Sequence, residues 1–247
     1  MRIPERHEFL GDYVRRAAKG EFGVAAFQRP FRWNKRDVEA FLGSVTDEIP
    51  IGSFLTWRLT SEQRAAGRLS KGRIGPVVHD PSAEILVLDG QNRLSTIVWA
   101  ARRPEAPLDP ECRYSAEEIE VWLGDEVLVA DVEERRMHFV PSVAAKSSKR
   151  YPLGEVMAAA HLGIARPLDL LSGMEAAGIS DGDFNWFFDE LPHFFRAKKT
   201  VVAEICDATA EEAFDVFLRI CKTGVAISDE DVEEARKWMI PAEASGS

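Results

Sequence analysis

No stretch of this 247-residue chain is long and apolar enough to cross a bilayer, and Met1 to Glu8 is charged where a signal peptide would be apolar. A cytoplasmic location without a membrane partner is the expectation. Cysteine is scarce: Cys112, Cys206 and Cys221 are odd in number and lack metal-type spacing, which excludes a disulfide framework and a zinc site and leaves free thiols. Positive charge is also short. A formal net charge of -10 argues against a protein whose whole surface tracks DNA, because that affinity rests on Lys and Arg neutralising phosphates. Two local basic clusters exist, Arg58, Arg64, Arg68, Lys71 and Arg73, and Lys146, Lys149 and Arg150. Both read as solvated loops in preference to binding patches. No internal repeat is visible. What remains is ordinary globular composition, 45% hydrophobic and 29% charged, enough for one core with a small satellite.

The pattern along the chain alternates strands and helices. Phe9, Leu10, Tyr13, Val14 and Ala17 form a helical stripe that predicts a helix over 7–19, ended by Gly20. Residues 22–27 look extended. Asn34 is placed as the N-cap of a helix over 35–48, whose buried face would be Val38, Phe41, Leu42 and Val45. Pro50-Ile51-Gly52 is a turn, 53–59 a strand, and 60–76 a basic loop. Ile85 to Leu88 is a second strand that runs into a helix over 94–101. Residues 103–110 form a proline-rich turn, short strands are expected over 118–122, 126–130 and 137–140, and broken helices over 152–195. This part, about 111–198, reads as an insertion of a meander and a helical segment in a single domain spanning 1–240. A strand over 200–205 and helices over 211–220 and 229–239 follow, then a disordered tail over 241–247.

Three segments carry chemistry. Asp89-Gly90-Gln91-Asn92-Arg93 ends a strand and opens a helix, so it presents free N–H groups that glycine lets a ligand approach. Arg93 adds a cationic fork suited to phosphate, and Asp89 suits orienting that arginine, holding a metal or positioning a water. The plainer reading is a tight connection with an Asp cap. Phe27-Gln28-Arg29-Pro30-Phe31-Arg32-Trp33 brings an amide, two cationic forks and aromatic rings that stack on a base or, as preferred here, pack in the core. Residues 220–228, with Lys222 and Gly224, are a helix end and a glycine turn, which spacing alone does not separate from a simple helix connection.

In order, aromatic-Gln-Arg-Pro-aromatic-x-Trp (Phe27 to Trp33), Pro50-Ile51-Gly52, Leu88-Asp89-Gly90-Gln91-x-Arg93-Leu94-x-Thr96, and Phe217 followed by Gly224, Ile227 and Ser228 resemble the GmrSD-type restriction endonuclease N-terminal domain, of the ParB/sulfiredoxin-like superfamily. The resemblance implies an α+β fold: a small mixed sheet flanked by helices, with a largely helical insertion. It implies a nucleotide-binding, NTP-hydrolysing domain of a bacterial anti-phage or modified-DNA restriction system. Phosphates would be held by Gln28, Arg29, Gly90, Gln91, Asn92, Arg93, Lys222 and Gly224. Asp89, Gln91 and Arg93 would take the catalytic roles, with Mg²⁺ on Asp89 accompanying the NTP. DNA, a separate nuclease subunit and a second copy of the chain are the further partners it implies.

Two positions depart from the family pattern. Asn92 replaces the usual second glutamine of the turn, and Cys221 replaces the asparagine usual before the Thr-x-Gly turn. Asn92 keeps amide chemistry with less reach, whereas Cys221 loses a strong donor and acceptor. No segment reads as an HNH nuclease, since His7, His79, His138, His161 and His193 lack catalytic spacing partners. Two other readings stay open: a DNA-nicking or DNA-binding ParB-like nuclease using the same site, and a catalytically inactive nucleotide-sensing or partner-binding module.

Overall fold

The computed structural model describes residues 1–18, 21–25, 27–28, 31, 33–65, 70–73, 83–100, 124–147, 149–156, 172, 175–176, 178–223 and 233. The strands are β1 (Glu5–Phe9), β2 (Phe22–Ala25), β3 (Phe54–Arg58), β4 (Ser70–Arg73), β5 (Ile85–Asp89), β6 (Glu126–Asp131), β7 (Arg136–Pro141), β8 (Arg150–Pro152) and β9 (Lys199–Ile205). The helices are α1 (Leu10–Ala18), α2 (Lys35–Thr46), α3 (Ser61–Ala65), α4 (Gln91–Ala100), α5 (Asp181–Asn185), α6 (Leu191–Ala197) and α7 (Ala210–Thr223), with a π-helical turn Trp186–Glu190 between α5 and α6. This is an α+β architecture.

Six strands form one mixed sheet in the order β1-β9-β3-β5-β2-β4. β9 runs parallel to β3 and β5 parallel to β2, while the other neighbours are antiparallel. Side chains alternate across a strand, so β5 sends Ile85 and Val87 to one face and Leu86 and Leu88 to the other. Both faces are covered. On the first lie α1, α2 and α4, with Leu10, Tyr13, Val38, Leu42, Leu94 and Ile97 buried around Phe54. On the second lies α7, where Phe214 and Phe217 pack on Phe27 with ring centroids 5.2 and 5.1 Å apart. The strand run Ile-Leu-Val-Leu is apolar throughout because both of its faces are buried.

The middle of the chain contributes a small antiparallel sheet, β7-β6-β8, followed by α5, the π-helical turn and α6. Its Leu128, Ala130, Tyr151 and Phe187 share a core cluster with the main sheet. Three local expectations change. Residues 5–9 form an edge strand on β9, and the first helix starts only at Leu10. The basic loop contains α3 and β4. A third strand, β8, pairs with β6 where residue 152 was expected to open a helix. The strand expected over 118–122, the helix over 229–239 apart from residue 233, and the tail lie outside the described residues. Among the described residues, no helix is long and apolar enough to cross a membrane.

A buried carboxylate ties the sheet edge. Glu204 on β9, its side chain 5% exposed, accepts from Arg58 Nε and Nη2 at 3.0 and 3.1 Å and faces Arg6 Nη1 at 3.3 Å. Burial alone would raise its pKa, but the two guanidinium groups outweigh that and hold it below the usual carboxylate range. A depressed folded-state pKa contributes stability above the unfolded value of about 4.3, lost as pH falls through the folded value. Glu204→Gln therefore unfolds at a lower temperature than wild type at pH 7, and the gap narrows towards pH 3. Melting curves across that range check it; a constant gap contradicts it.

Candidate phosphate site at the strand–helix junction

The junction between β5 and α4 is built by two glycines in left-handed backbone. Gly90 has φ +91°, and a Cβ there would lie 2.3 Å from Phe54 Cδ1. Only glycine lets the chain turn this tightly over the Phe54 ring. Gly52, with φ +80°, does the same in the turn before β3, where a Cβ would lie 2.2 Å from Arg93 Nη1. The two turns face one another across Arg93.

Arg93 spans the gap. Its Nη1 donates to the Ile51 carbonyl at 2.7 Å, its Nη2 donates to Asp89 Oδ2 at 3.0 Å, and its guanidinium sits 5.1 Å from the Phe54 ring centroid. Two of the five N–H donors of a guanidinium are thus committed to the protein itself. Thr200 Oγ1 on β9 donates to the Gly52 carbonyl at 3.1 Å, which anchors the same turn from the other side. Of the sequence's roles for Asp89, the geometry shows one directly: it orients Arg93. The Asp89 side chain is 44% exposed.

The donors gather at one end of the sheet. Gln91, Asn92 and Arg93 open α4, and the first N–H groups of a helix have no intrahelical carbonyl. Leu94 is the first whose N–H closes a turn, to Gly90 O at 2.9 Å. Gln91 is buried, and its Nε2 has no acceptor among the described residues. Gln28, also buried, donates its side-chain amide to the Leu88 carbonyl, at the end of the same strand. The helix dipole adds partial positive charge where these groups meet.

Gln28, Asp89, Gly90, Gln91, Asn92 and Arg93 are therefore brought together on β5, α4 and the segment after β2. Arg29 and Gly224 lie outside the described residues, as does the side chain of Lys222. The helix that carries Lys222, α7, packs on Phe27, next to Gln28. Sequence reasoning missed Ile51, Phe54 and Thr200 as members of this assembly. The Pro50-Ile51-Gly52 turn was the available signal, but its partner lies 42 residues further along the chain.

The basic clusters are committed elsewhere. Arg58 pairs with Glu204 and Glu84, and Arg64 with Glu84 at 2.7 Å. Lys146 pairs with Glu155, Lys149 with Glu133 and Arg150 with Asp131. The side chains of 68, 71 and 73 lie outside the described residues. Among the described residues, no group of three or more His, Cys, Asp or Glu side chains could hold a metal ion.

Comparison with known proteins adds two findings. Residues 10–236 match the family described as the GmrSD restriction endonuclease, N-terminal domain. Over 111 residues the chain is 33% identical to an uncharacterized protein of Methanocaldococcus jannaschii, a match covering 44% of this chain and 19% of that protein.

Proposed function

The chain belongs to the GmrSD restriction endonuclease N-terminal domain family, and we propose that within such a restriction system it binds nucleoside triphosphates and hydrolyses them. The observation that carries this reading is the convergence, at the N-terminus of α4, of unpaired helix N–H groups, the buried partnerless amide of Gln91 and the fixed guanidinium of Arg93. A phosphate chain satisfies all three at once.

In this reading Gly90 gives the phosphates access to the backbone, and the N–H groups of Gln91 and Asn92 donate to the phosphate oxygens. Arg93 is held by Ile51 and Asp89, and turns its remaining donors to the charge that grows as the terminal phosphoryl group leaves. The protein's contribution is position: a guanidinium already fixed on two sides reorganises little during the reaction. Water attacks the terminal phosphorus, the bridging bond breaks, and the products are a nucleoside diphosphate and phosphate. A Mg²⁺ arriving on the substrate would neutralise part of the phosphate charge, and Asp89, whose side chain is 44% exposed, would be the residue to hold it. Gln28, held at the end of β5, closes the site from the segment after β2.

Phosphate release from each NTP with Mg²⁺ tests the reading, with Asp89→Asn as the comparison. Asparagine still accepts from Arg93, and Asp89 is half-exposed, so the variant folds like wild type. It should release phosphate at least about tenfold more slowly, in line with loss of a charged positioning group. Equal release from both proteins sinks the assignment.

A further inference from the structure

A groove of about 340 Å³ opens beside Arg93, between α2 and the turn that precedes β3. Trp33, Asp37, Phe41, Ser44, Ile51 and Arg93 line it. We propose that this groove is the nucleoside subsite of the NTP site, an inference that rests on the nucleotide reading above.

Arg93 lines the groove, and its Nη2 lies 3.0 Å from Asp89 Oδ2 and 3.2 Å from where a Cβ on Gly90 would sit. A single guanidinium therefore separates the groove from the N-terminus of α4, so a ligand with its phosphates at that terminus reaches the groove with its other end. The wall is aromatic. The half-buried Trp33 indole is braced by Phe41, with ring centroids 5.2 Å apart, and α2 beneath it is fixed by its Asn34–Asp37 capping box. An aromatic platform of this kind stacks any base, because every base has a π-face. The rim accepts protons. Asp37 uses Oδ2 for the Asn34 N–H and keeps Oδ1, while Ser44 donates its hydroxyl to Ala40 O and keeps its lone pairs. A nucleobase edge that donates N–H groups matches this rim. The volume lies at the lower end of small-ligand pockets, fitting a nucleoside rather than a chain of nucleotides.

Ala40 also lines the groove and is exposed on α2, so Ala40→Trp fills it without touching the core. Hydrolysis of an NTP and of inorganic tripolyphosphate, both with Mg²⁺, is compared for wild type and variant; Ser44→Trp replaces it if the first does not fold. The expected result is a KM for the NTP raised about tenfold or more, with tripolyphosphate within about twofold of wild type, since blocking a stacking subsite removes base binding alone. If NTP turnover persists and the variant changes both substrates equally, or neither, the subsite is wrong while the nucleotide reading stands. If the wild-type protein neither binds nor turns over NTP or tripolyphosphate, both fail.

Discussion

Arg93→Ala lowers unfolding stability by about 2–4 kcal/mol, and Arg93→Lys by roughly half as much, on the scale of losing buried hydrogen bonds to a charged donor. The side chain is 17% exposed and joins two turns that are otherwise separate. Alanine leaves the Ile51 carbonyl without its donor and empties the space against Gly52. Lysine restores a charge but lacks the planar fork that reaches Ile51 and Asp89 together. Denaturant unfolding gives the order wild type, lysine, alanine; an alanine variant as stable as wild type shows that Arg93 is not a clamp. The consequence for function is direct. Loss of hydrolysis in Arg93→Ala alone does not identify a phosphate contact, because the same change dismantles the site.

Gly90→Ala is expected to cost about 2–5 kcal/mol, combining left-handed strain of about 1–2 kcal/mol with overpacking of about 1–3 kcal/mol. Both terms act at this position: φ is +91° and the new methyl would meet the Phe54 ring at 2.3 Å. Phe54 is fully buried and flanked by Tyr13, with ring centroids 4.9 Å apart, so the ring has little room to retreat. Gly124 supplies the comparison. It also has a positive φ, +62°, yet a Cβ there meets nothing within 4 Å. Gly124→Ala should therefore cost only about 1 kcal/mol, the conformational part. Thermal unfolding midpoints separate the two, with Gly90→Ala lower by roughly 5–15 °C for a chain of this size. Equal shifts from both substitutions would show that the Phe54 contact carries no weight.

Local signals in the sequence translated into local structure with little error. Asn34 caps α2 and, with Asp37, completes a reciprocal box; Val38, Phe41, Leu42 and Val45 are its buried residues. The apolar run 85–88 became the strand buried on both faces, and the Asp-Gly step became the turn into α4. The failure at 7–9 has a long-range cause. Glu-Arg-His-Glu-Phe carries no apolar alternation, and its strand exists because β9, about 195 residues later, offers a partner edge. The stripe from Leu10 to Ala17 is a true helical face, so extending it backwards was the natural error.

The site shows the same division. A glycine turn with an adjacent arginine was legible, since spacing along one strand and one helix sets it. That Arg93 grips Ile51, that Gly52 must lack a side chain to admit it, and that Thr200 holds the turn from behind are all tertiary facts. None leaves a periodic trace. The paired state of Arg58, Arg64, Lys146, Lys149 and Arg150 belongs here too, because the balancing carboxylates sit on other elements of the fold.

The central claim is that the start of α4 is a phosphate seat whose donors await a ligand, and Gln91→Leu tests it most directly. Replacing a buried amide that has no acceptor with an apolar side chain should raise stability by about 1 kcal/mol. It leaves Arg93 and both glycine turns untouched. Calorimetric titration of an NTP with Mg²⁺ into wild type and into Gln91→Leu is predicted to give saturable one-to-one binding in the first and affinity at least about tenfold weaker in the second. Equal affinity in both, or none in wild type, would contradict the account.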